Sequence, residues 1–169
     1  MLDKILIKKR DIILEKWLHQ ILDSYPVDGA KFFGSEKDRF NNPVGYTFSQ
    51  EIKIIYDELL NEFNGHALRI SMDKIIKIRS VQDFSPSKAV SFVYLLKKIL
   101  REELENEIAD ANILRELMVF EARIDQLALL AFDIYTLCRN KIYEIRVNEI
   151  KKRSISFLRD TRQEPENNE

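Results

Sequence analysis

Four glycines, four prolines, one cysteine, one tryptophan and two histidines in 169 residues leave this chain short of most chemical punctuation. A lone Cys138 excludes a disulfide framework and a thiolate metal cluster within one chain. The glycines stand at 29, 34, 45 and 65, which builds neither a Gly-rich phosphate loop nor a G-x-S-x-G elbow. Neither His19 nor His66 has a second His or a Cys at ligand spacing, so no metal site is expected. Charge is balanced as well, 27 Lys and Arg against 28 Asp and Glu with the signs interspersed, which argues against a nucleic-acid partner. No run approaches the roughly 18 uncharged apolar residues of a membrane span, and the opening apolar run is too short for a signal segment. The expectation is a cytoplasmic protein without membrane insertion. No stretch alternates like a strand, which leaves an all-α fold.

What the chain does have is a stretch from Asp110 to about Arg159 free of Gly and Pro, predicted as one long helix over about 110–159. Ile113, Leu117, Phe120, Ile124, Leu127, Ala131, Ile134 and Cys138 follow one another in steps of four and three, an unbroken apolar strip. At about 100° per residue, Leu114, Met118, Ala122, Asp125, Leu129, Phe132, Thr136, Tyr143 and Val147 form a second strip roughly 140° away. A helix apolar on two sides needs cover on both. The uniform first strip, Cys138 included, is assigned to the core. The mixed strip is assigned to a homodimer interface of Leu114, Met118, Ala122, Asp125, Leu129, Phe132 and Thr136.

Taken in order, the periodicity predicts about five main helices in a single domain over residues 1–160. The first covers Leu2 to Leu22, with Trp17 as a core anchor. Asp23 to Asn42 lacks periodicity and reads as a long loop strapped over the domain by Tyr25, Phe32, Phe33 and Phe40. Asn42-Pro43 and Ser85-Pro86 are cap-then-proline helix starts. Asn64-Gly65 is read as a left-handed stop, followed by a helix from about Ala67 or Met72 to Val81 presenting Ile75, Ile76, Ile78 and Val81. The helix begun at Ser85 should break near Asn106 to Asp110, and residues 161–169 read as a disordered tail.

The acids within the long helix, Glu121, Asp125 and Asp133, are read as ion-paired rather than catalytic, with Arg123 or Arg139 as partners. Its far end has a different character. A helix of about fifty residues spans about 75 Å, far more than a domain of this size can cover. The end should overhang, and the cluster Ile155, Phe157 and Leu158 is assigned to an unidentified protein partner.

Four stretches carry a family resemblance: Arg39 to Tyr46, Ile78 to Val90 across the Gln82-Asp83-Phe84-Ser85-Pro86 corner, Ala122 to Asp133, and Tyr143 to Glu149. Together they resemble the N-terminal domain of RsbR and RsbRD-type stressosome co-antagonists. The resemblance implies a globin-like fold without haem, dimerisation through helices, and a non-enzymatic sensory or regulatory role in stress response and signal transduction, with room for a small ligand. In that family the domain precedes a phosphorylatable STAS domain. None lies within these 169 residues, so a separate output partner is expected. No cofactor is expected. The alternative is a haem- or other cofactor-binding globin-like protein, against which stands the lack of a histidine among Lys74 to Ile78, His66 falling about two turns early.

Overall fold

An amphipathic helix is stable once its apolar stripe is covered by another element. In the computed structural model, which describes residues 1–25, 42–61, 65–82 and 84–160, the helices meet around one apolar cluster. Among those residues the order is α1 (Leu2–Lys8), α2 (Arg10–Asp23), α3 (Pro43–Leu60), α4 (Gly65–Ser80), α5 (Pro86–Val90), α6 (Phe92–Glu103), a 3-10 turn (Glu107–Ala109) and α7 (Ala111–Asp160). No strand occurs among them, and the all-α class holds. The spine is α7, against which α1, α3, α4, α5 and α6 pack, while α2 lies on α3 and α6. Ile113, Leu117, Phe120, Ile124, Leu127, Ala131 and Ile134 are buried and Cys138 is half-buried, as the first strip predicts.

Both cap-then-proline starts form. The Asn42 side-chain oxygen accepts from Gly45 N at 2.7 Å with Pro43 in the first turn, and Ser85 Oγ accepts from Lys88 N at 3.3 Å ahead of Pro86. Gly45 follows from the first cap, because a Cβ there would stand 2.3 Å from the Asn42 amide.

Among the described residues, five main helices become seven because two of them bend. Leu2 to Leu22 divides at Lys9, where φ is −93° and ψ 7°. Backbone bonds from Lys9 N to Ile5 O and from Ile13 N to Lys9 O run through the site, so the break is a kink and not a loop. It lets Leu6 and Trp17 reach the same core. It also aims Lys9 Nζ at Glu103 O, the end of α6, where a cation is favourable, and at Glu107 2.8 Å away. The second break, at Ser91, separates α5 from α6. There Tyr94 N reaches back only three residues to Ser91 O, and Ser91 Oγ donates to Lys88 O.

Gly65 is not a left-handed stop. It opens α4, and no described glycine has positive φ. The preceding helix ends earlier, at Leu60, where Arg123 from α7 donates to Leu59 O at 2.9 Å and takes a carbonyl the helix leaves free. Val81 is exposed at the turn beyond α4 rather than buried. The strap with Phe32, Phe33 and Phe40 and the tail from 161 lie outside the described residues.

Candidate functional site: the outer face of the long helix

On α7 the side turned from the core is the second strip. Leu114, Met118, Ala122, Leu129, Phe132 and Thr136 are all exposed, with Met118 at 61%, Leu129 at 66% and Phe132 at 50%. Large apolar side chains so open to water, successive along one helix face, form an exposed apolar patch, and this patch is the candidate site. Asp125 belongs to the same strip but is held from within the chain: Lys97 Nζ on α6 meets its two oxygens at 2.7 and 2.8 Å. That ammonium also lies 6.0 Å from the Tyr94 ring, so the edge of α6 borders the strip.

The partner of Glu121 is neither Arg123 nor Arg139. Arg101 of α6 forms a two-pronged pair with it at 2.6 and 2.7 Å. Arg123 is occupied at the end of α3, and Arg139 donates to Ser80 O and to the Tyr143 hydroxyl, both at 3.1 Å. Chain proximity suggested the wrong arginines, because side chains on one helix at two-residue spacing point apart. Glu121 with Arg101 and Asp125 with Lys97 therefore pin α6 alongside the candidate interface.

Near the start of α7, Glu116 accepts from Leu2 N at 2.6 Å and from the Met1 ammonium at 3.0 Å, closing the open end of α1. Those bonds, the Leu2 amide first, hold its carboxyl below the usual carboxylate range.

At the other end α7 leaves the domain. From Tyr143 to Phe157 every residue is exposed, among them Tyr143, Ile145, Val147, Ile150 and Ile155, with Phe157 at 68%. Ile155 and Phe157 are both exposed on the surface of α7. The side chain of Leu158 lies outside the described residues.

Periodicity missed the internal support of this arrangement. Arg79 is fully buried, its Nε donating to Ala89 O at 2.8 Å and its Nη2 to Lys88 O at 2.9 Å. Its guanidinium lies 4.7 Å from the Phe84 ring, 5.3 Å from Phe92 and 5.4 Å from Tyr25. Burial pulls its pKa down, opposed by Tyr25. The signal was present, since Leu68, Met72, Ile75 and Arg79 follow at steps of four, three and four on the buried face.

A groove of about 580 Å³ lies between α2 and α3, lined by Leu14, Leu18, Leu22, Tyr46, Gln50 and Ile52 and edged by His19, which pairs with Asp23 at 2.9 Å. No cluster of three metal-ligating side chains occurs among the described residues, and no helix among them is long and apolar enough to cross a membrane.

Comparison with known proteins points the same way as the corner and the long helix. Residues 11–150 match the family described as the RsbT co-antagonist protein rsbRD N-terminal domain. An uncharacterized protein of Archaeoglobus fulgidus is 25% identical over 156 residues, covering 89% of each chain. No solved structure matches.

Proposed function

Since this chain belongs to the family of rsbRD N-terminal domains of RsbT co-antagonist proteins, we propose that it is a non-catalytic, dimeric regulatory protein that acts through contacts along α7. Family membership carries a regulatory role in stress signalling. The finer reading rests on one observation: α7 offers an exposed apolar face beside the domain and a second one beyond it. The upper face, from Leu114 to Thr136, is the homodimer interface, bordered by the edge of α6. The overhanging end, with Ile155, Phe157 and Leu158, is what a separate protein partner reads. The groove between α2 and α3 offers room for a small ligand as input.

Replacing both Leu129 and Phe132 by Glu should convert a dimer into a folded monomer in light scattering, with little change in helical circular dichroism. Both side chains are already exposed in the single chain, so charge there costs the fold little while burying unpaired carboxylates in a dimer is unfavourable. Truncation after Asn148 should leave the melting temperature within about 2 °C of the full chain, since the residues from 149 to 157 are all exposed and changes at exposed sites contribute little to stability. A wild-type monomer at tens of micromolar would sink the dimer. Loss of many degrees on truncation would assign the end of α7 to the core.

A further inference from the structure

The free end of α7 has a charge balance of its own. From Arg139 to Phe157 six cationic side chains stand against two acids, Glu144 and Glu149, in a chain whose net charge is −1. Arg139 is engaged with Ser80 O and Tyr143. Arg146, Lys151, Lys152 and Arg153 form no salt bridge with any described residue. Between these charges runs an exposed seam, Tyr143, Val147, Ile150, Ser154 and Phe157, in alternating steps of four and three. Such spacing is the pattern of a helix that pairs with another helix.

The charges beside the seam say which helix. Arg146 and Arg153 line one flank, Glu144 and Lys151 the other. A second copy gains nothing in either direction: paired in parallel, Arg146 of one helix meets Lys151 of the other, and paired antiparallel, the repulsion of Arg146 and Arg153 offsets the attraction of Glu144 and Lys151. Like charges at those positions oppose pairing. A helix with carboxylates beside its seam meets the arginine flank favourably in both directions. We propose that Tyr143 to Phe157 is a docking site for an amphipathic helix of another protein, one whose apolar seam is flanked by Asp and Glu. This rests on the reading of α7 as the output surface and adds the chemistry of the partner.

The test is fluorescence anisotropy with the full chain and a labelled synthetic peptide of four heptads, Leu at each seam position and Glu at each flanking position, beside its Lys-flanked counterpart. The Glu peptide should bind at least about tenfold more tightly, and the difference should shrink between about 50 and 500 mM salt as screening grows. Arg146→Glu with Arg153→Glu should reverse the preference. Ile150→Asp should weaken both peptides, and circular dichroism shows that each variant keeps its melting temperature. Equal affinity for the two peptides, no binding of the Glu peptide, or a preference untouched by the arginine changes would overturn the proposal. So would co-sedimentation with phosphatidylglycerol vesicles in place of peptide binding, which would make the site a lipid surface. Light scattering on the same sample separates the two readings. A dimer indifferent to the peptide removes only the acidic partner, and a monomer that binds it removes only the dimer.

Discussion

Arg79→Met should lower the stability of the fold by about 3 kcal/mol, measured as a shift of the urea midpoint at unchanged slope. Methionine keeps most of the apolar stem, so the loss isolates the guanidinium. Without it, Ala89 O loses a buried donor and Lys88 O keeps only Ser91 Oγ. An orphaned buried acceptor costs about 1–3 kcal/mol, and the contacts with Phe84, Phe92 and Tyr25 add to that. Relief from burying a cation works in the other direction, and keeps the expected figure from being larger. Arg79→Lys should recover little, because one ammonium cannot span two carbonyls and lie flat among three rings. A loss below about 1 kcal/mol for Arg79→Met would show that the bend at Ser91 holds itself.

Trp17→Ala should have the largest effect of any single change, about 3–5 kcal/mol. The indole is fully buried, stacks on Phe92 with ring centroids 6.5 Å apart, and donates from Nε1 to Phe92 O at 2.8 Å. Trp17→Phe keeps most of the volume and gives up the bond, so about 1–2 kcal/mol is expected, of which the hydrogen bond is the main part. Both residues secure the same bend, Arg79 from the α4 side and Trp17 from the α2 side. Their combined loss should therefore fall short of the sum of the single losses by at least about 0.5 kcal/mol. Strict additivity in chemical denaturation would mean that the two anchors act on separate structures.

These anchors also mark where sequence reading stops. The strip from Ile113 to Ile134 was legible because seven apolar residues at helical spacing allow one interpretation, and each is buried. Asn42-Pro43 and Ser85-Pro86 were legible because a cap acts within four residues. The bends at Lys9 and Ser91 were not. Each is supported by a side chain and a carbonyl on different helices, Lys9 with Glu103 and Arg79 with Lys88 and Ala89, and the periodicity of one helix carries no record of such a meeting. Arg79 falls on the buried face at helical spacing, but a charged residue type alone points to the surface. The pairing of Glu121 and Asp125 with α6 has the same origin, since Arg101 and Lys97 are neighbours only after folding. The outer strip itself was readable as a face, whereas the border that α6 gives it was not.

The fifty residues of α7 contain neither Gly nor Pro, so nothing in the sequence supplies a hinge where the helix leaves the domain. A stiff rod clamped over only part of its length converts angle into distance. From Ile142, the last partly covered residue, to Phe157 is about 22 Å at 1.5 Å per residue. A tilt of about fourteen degrees at the clamp then carries the tip about 5.4 Å, the spacing between one turn of an α-helix and the next. Side-chain rearrangements under α7 that are too small to alter the fold are therefore large enough, at the far end, to move an apolar contact from one turn of a bound helix to its neighbour.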